Sequence, residues 1–215
     1  MSSRLGAAAL AVVILAVAVV VLGVTNPVRT ARVGTDRLGP DTGQSVDDYV
    51  SYAQSTLTGD DGAEHWALVS LRSDSTTDGV AAVMGDTRVS QVFVHVAIDR
   101  VQTPVVVVSV SAHPVSLANA VRIAAEKVPS AAGSRGEAVA AVTRSRMLAD
   151  CACVAALLVR DSVPDLRELS AAPAVRAVEA LPADAVYGSF SVTPLLPQTV
   201  DTSLVQPDDG AVPDR

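Results

Sequence analysis

Between Leu5 and Val24 the chain reads LGAAALAVVILAVAVVVLGV, twenty residues without a charge. At about 1.5 Å per residue such a helix is roughly 30 Å long, the thickness of a bilayer's hydrocarbon core. A cleaved signal peptide has a shorter apolar region, roughly 7–15 residues, and a small-x-small exit that Val21-Leu22-Gly23 meets poorly. The expectation is therefore an uncleaved signal anchor, with residues 1–4 as a short tail and 5–24 as a transmembrane helix in contact with membrane lipid. Arg29, Arg32 and Arg37 follow the helix while Arg4 alone precedes it, and this bias favours a cytoplasmic C-terminal part. Long domains translocate largely regardless of charge, and a short tail with one arginine suits export. The expected topology is single-pass in the cytoplasmic membrane with the C-terminal domain outside.

Residues 25–44 carry Pro27, Gly34, Gly39, Pro40 and Gly43 among polar residues and read as a juxtamembrane linker. Ser45-Val-Asp-Asp48 opens a capping-box-like start, and Val46, Tyr49, Val50, Ala53 and Leu57 recur at helical spacing, giving an amphipathic helix over 45–58. Residues 65–197 are long enough for one α+β domain. Aromatics make up only 3% of the chain, so its core must be built from Val, Ala and Leu. Strands are expected at 66–72, 89–98, 105–110, 153–160, 175–181 and 186–195, with the β-branched run Val105–Val110 as a buried central strand. Helices are expected at 73–85, 114–128, 136–149 and 164–171. Residues 198–215 are rich in Pro, Asp, Gln and Thr and read as a disordered tail.

From Trp66 to Arg160 the order is strand–helix–strand–strand–helix–strand. That order predicts a ferredoxin-like antiparallel sheet with helices on one face and a C-terminal extension. The stretches WALVSLRSDSTTDGVAAVMGDTRVSQVFV and CVAALLVRDSVPDLRELSAAPAVRAVEAL also echo one another, each running strand, short helix, strand. Shared βαβ grammar and an internal duplication both account for the echo.

Leu166, Leu169, Pro173, Val175, Val178 and Glu179 lie in VAALLVRDSVPDLRELSAAPAVRAVEAL, which resembles the second half of the subtilisin-propeptide inhibitor fold. The likeness covers fewer than thirty residues and implies the fold, since residues 197–215 offer no counterpart to that family's substrate-like tail. As a whole the chain is similar to actinobacterial single-pass membrane proteins with an Ala/Val-rich outer domain. That resemblance carries no activity with it.

Cys151 and Cys153 are the only cysteines. In an extended strand residues i and i+2 share a face with Cα atoms roughly 6.5–7 Å apart, so a disulfide there needs a local bend. Outside the cell a small-loop disulfide is expected, with buried structural thiols or a redox couple as alternatives. His65, His95 and His113 have no ligand spacing, so no metal or cofactor is expected. Ser109, Ser111 and His113 share a strand face by alternation, without the context that activates a serine. A net charge of −7 with no basic cluster argues against nucleic-acid binding. These features predict a non-catalytic interaction or scaffolding protein of the cell envelope with an envelope protein as partner. The alternatives are a peptidase-inhibitor-like or chaperone-like module and an extracytoplasmic thiol protein using Cys151 and Cys153.

Overall fold

The computed structural model describes residues 15–16, 36–111 and 114–214. The chain divides into two units, Met1–Val33 and Gly34–Arg215. The expected membrane helix over 5–24 lies outside the described residues except for Leu15 and Ala16, which are helical. Among the described residues no helix is long and apolar enough to cross a membrane.

The second unit is built on a five-stranded antiparallel sheet. Its long strands are β2 (Glu64–Ser75), β3 (Arg88–His95), β4 (Val105–Ser109), β5 (Val154–Ser162) and β6 (Val175–Ala180). Two of them run directly into helices by the same local device. Ser75 ends β2, and Thr76 caps α2 (Thr77–Met84) by accepting the Gly79 N–H at 3.1 Å. Ser162 ends β5 and caps α6 (Val163–Ala171), accepting the Asp165 N–H at 3.4 Å, with Pro164 in the first turn. A hydroxyl at the N-cap satisfies a donor that the helix itself leaves orphaned. α2 then stops at Gly85, whose φ of +54° suits a residue without a Cβ.

The units β2–α2–β3 and β5–α6–β6 interleave. The sheet order is β4-β3-β5-β2-β6, so each unit holds one strand of the other between its own two. The sequence echo is thus the pair of βαβ units that make the sheet. The expected order from Trp66 to Arg160 counts β4 among the four core strands and β6 as an extension, and the sheet corrects both. The structure puts β6 beside β2 and leaves β4 outermost, reached from β3 by a hairpin. Val106 and Val108 are buried, but Val107 is 41% exposed, so the strand is fully covered on one face and only in part, at Val105, on the other. A β-branched run reports a preference for extended backbone and does not by itself demand burial on both sides.

Alternation along the strands separates two cores. On one face Val69, Leu71, Val92, Val94, Leu157, Val159 and Val178 meet α2, α6 and two further helices, α4 (Ala120–Lys127) and α5 (Gly133–Leu148). The expected helix over 114–128 is broken at Asn119, which separates α3 (Pro114–Ala118) from α4 and turns its side-chain amide back to the Val115 carbonyl at 2.8 Å. On the opposite face Trp66, Leu68, Phe93, Ala156 and Leu158 lie beneath Leu38, Phe190 and Val192. There α1 (Val46–Ser55) sets Val46, Tyr49 and Ala53 against Ala177 and Leu195. Leu117 of α3 joins the first of these cores, so among the described residues helices occupy both faces, five on one and α1 on the other.

Three further expectations change. Of the expected linker, residues 25–35 lie outside the described residues, and the rest belongs to the fold: β1 (Arg37–Leu38) buries Leu38 and pairs in parallel with β7 (Ser191–Val192). The expected strand at 186–195 shrinks to those two residues, because Gly188 at φ +79° and Pro194 interrupt it. Residues 198–214, read as a disordered tail, run along the domain. Thr199 is buried and Thr202 bridges to Ser45. Asp208 and Asp209 find arginine partners that composition alone does not reveal.

Candidate interaction surface

Cys151 and Cys153 form a disulfide with Cα atoms 5.3 Å apart. The shortening from extended spacing comes from the turn that precedes β5, where Asp150 has φ +59°. Cys153 is buried against the helix-side core, and its carbonyl accepts the His95 N–H at 2.8 Å. The disulfide closes the α5–β5 turn on itself, and the His95 hydrogen bond ties that turn to the end of β3.

The histidines are separate. His65 binds the Leu181 carbonyl through Nδ1 at 2.7 Å and Asp61 through Nε2 at 3.0 Å. Burial opposes its charge, but the Asp61 and Leu181 hydrogen bonds outweigh it and hold the imidazole above its usual range; the His65 hydrogen bond in turn holds Asp61 below the carboxylate range. Both ring nitrogens are engaged, Nδ1 by a carbonyl and Nε2 by a carboxylate. His95 lies 2.9 Å from the Thr103 hydroxyl through Nε2, and that hydroxyl donates to the Val96 carbonyl at 2.7 Å. The imidazole is therefore the donor to Thr103, and burial holds it below its usual range, neutral. His113 lies outside the described residues. Ser109 is exposed on β4, and Ser111 pairs with Ser116. Among the described residues no three His, Cys, Asp or Glu side chains gather as a metal site.

An ionisable group lies buried on the α1 face. Glu179 is 3% exposed and accepts the Gly39 N–H at 2.6 Å and the Tyr49 hydroxyl at 3.0 Å. Burial pushes its carboxyl above the ordinary value of 4.5, against the pull of those two donors. Burial and then the Glu179 charge push the Tyr49 phenol up. A cavity of about 300 Å³ lined by Arg37, Asp41, Gln44 and Tyr52 opens beside it. The group clasps β1 and α1 to β6, a role that a sequence pattern of alternating strand residues does not announce.

The sheet face beyond β1 gathers most of the aromatic residues, with Trp66 and Phe93 buried and Tyr187 exposed. Of six aromatic residues, Trp66, Phe93, Tyr187 and Phe190 gather on it. Tyr187 packs on Trp66 with centroids 4.9 Å apart and meets Phe190 edge-on at 6.5 Å. Arg160 lies over the Trp66 ring at 5.4 Å. The Gln91 amide donates to the Tyr187 hydroxyl at 3.0 Å and so draws that ring across the sheet toward β4. Tyr187 and Val186 are each 45% exposed.

β4 borders this face with a free edge. The Val110 N–H donates to the Ser90 carbonyl at 3.0 Å, which fixes the phase of the ladder. Positions 106, 108 and 110 turn their backbone toward β3, and 105, 107 and 109 turn theirs outward. Sheet edges are ordinarily blunted by charge, proline or a bulge. From Val105 to Ser111 there is no charge and no proline, and the β3–β4 register runs without a break. An open ladder beside exposed Val107, Val186 and Tyr187 can receive an extended chain, with backbone bonds for affinity and those three exposed side chains for contact. The sequence signal for this was VVVVSVS without a gatekeeper, read instead as burial. No protein-family model, curated protein or solved structure matches this chain.

Proposed function

We propose that the chain is a membrane-anchored, extracytoplasmic interaction or scaffolding protein of the cell envelope that binds an envelope protein by strand addition at β4. The observation that carries this reading is the unguarded β4 edge bordering the Trp66–Tyr187–Phe190 patch. The order β6-β2-β5-β3, with two interleaved βαβ units, supports reading the core as ferredoxin-like with β4 added. The uncharged run 5–24 supports the anchor, and the Cys151–Cys153 disulfide supports an oxidising compartment.

Photo-crosslinking tests the reading. A benzophenone side chain at Tyr187 in intact cells gives a discrete heavier adduct, and Val107→Pro removes it. Proline there deletes an outward N–H while leaving the β3 ladder intact. An adduct unaffected by Val107→Pro in a folded chain would refute strand addition.

A further inference from the structure

The β3–β4 loop and the start of α5 form a seat that the chain fills with its own residues 206–210. Arg100 holds the Asp209 carboxylate with Nε at 2.7 Å and with Nη2. Arg135 donates to the Asp208 carboxylate at 2.9 Å and to the Gly210 carbonyl at 2.9 Å. The Gln102 N–H gives Asp208 a second donor at 3.0 Å, and the Gln102 amide reaches the Gln206 carbonyl at 2.6 Å. Gly210 returns its N–H to the Arg100 carbonyl at 2.7 Å.

This is recognition by position as well as by charge. A Cβ on Gly210 would stand 2.5 Å from the Asp99 carbonyl oxygen and 2.8 Å from that of Arg100, so the third residue must be glycine. Arg100 has φ +53°, a conformation uncommon outside glycine, and from it presents both guanidinium and carbonyl to the same peptide. Every receiving group belongs to the loop or to α5, so the seat is complete without the tail. The tail is held largely by exposed ion pairs, which salt screens and which another acidic chain can replace. Leu204 and Val205 just before it are 58% and 76% exposed, adding little that would fasten it.

We infer that this seat is a docking site for an acidic Asp-Asp-Gly-type peptide segment of a partner protein, and that residues 206–210 occupy it in cis as a competitor. The site is separate from the β4 edge and does not depend on the function proposed above.

The test uses the full chain and Gly210→Ala, whose added methyl meets backbone and unseats the tail. The probe is a fluorescein-labelled synthetic peptide of residues 204–214, followed by anisotropy at low and high salt. The Gly210→Ala chain binds it at least tenfold more tightly than the unchanged chain does, and binding weakens with salt. Adding Arg100→Ala or Arg135→Ala lowers the affinity at least tenfold, as does alanine in place of glycine in the peptide. Trp66 fluorescence and an intact disulfide establish that each variant is folded. The inference is overturned if the folded Gly210→Ala chain ignores the peptide or if both chains bind it equally. It is also overturned if the alanine peptide binds as well, or if the variant pairs with itself by exchanging tails.

Discussion

Glu179 offers the sharpest test of how the N-terminal segment is held. Its carboxylate is 3% exposed and has two donors, the Gly39 N–H and the Tyr49 hydroxyl. Tyr49→Phe removes the second and leaves the ring in place among Val46, Ala53, Ala177 and Leu195. Removing one partner of a buried hydrogen bond leaves the other unsatisfied and costs about 1–3 kcal/mol, so a loss of about 2 kcal/mol is expected. For a domain of this size that lowers the melting temperature by about 4–8 °C. The sign with pH follows from the raised carboxyl. A group whose folded value lies above its unfolded one stabilises fully below the unfolded value, here 4.5, and that stability is lost as pH rises through the folded value. Glu179→Gln, which cannot titrate, should remove that part of the slope. The assay is urea unfolding of the purified chain in mild detergent, followed by the sole tryptophan, Trp66, from pH 4 to pH 8. If Glu179→Gln unfolds with the same pH slope as the unchanged chain, the buried carboxylate is not what couples stability to pH. If Tyr49→Phe costs nothing, the clasp is not a clasp.

Other outcomes follow from the same structure. Val107→Pro should move the unfolding midpoint little, because its N–H faces away from β3, and should abolish the Tyr187 crosslink; circular dichroism and crosslinking report the two. Leu166→Ala, at a fully buried position beneath the sheet, should cost about 2–5 kcal/mol in urea unfolding. Cys151→Ala opens a loop spanning a sequence separation of only 2, and chain entropy then limits the loss to about 1.6 kcal/mol. His65→Asn should lower stability at acid pH more than at alkaline pH. The raised imidazole stabilises fully below its ordinary 6.5 and that contribution is lost as pH rises through its folded value, which melting curves from pH 5 to pH 9 would show.

Much of this fold was legible because its halves repeat one local grammar. A hydroxyl N-cap, a short helix and a second strand follow β2 and β5 alike, and that echo marked the two units that interleave. The order of strands in the sheet was not legible, since pairing β5 between β2 and β3 depends on contacts far apart in sequence. Val105–Val110 shows why burial misled: four consecutive valines favour extended backbone whether or not a neighbour covers both faces. The C-terminal segment shows the converse. Pro, Asp and Gly gave a disordered composition, yet Asp208 and Asp209 meet Arg135 and Arg100 only once β3 and α5 have brought the arginines together. The disulfide was legible as proximity, because residues two apart need only a bend. Glu179 was not, because a glutamate in a strand normally faces solvent, and its donors come from 130 and 140 residues away.

The compartment of the folded domain decides most of the account, because both the disulfide and an envelope partner require it to lie outside. Alkaline phosphatase fused after Arg215 and assayed in intact cells measures it directly, since that enzyme is active only where its own disulfides form. The account predicts activity in intact cells, together with an oxidised Cys151–Cys153 pair. An inactive fusion, with a cytoplasmic reporter active at the same position, would contradict it. Arg29, Arg32 and Arg37 would then have set the topology, and the partner of β4 would be cytoplasmic.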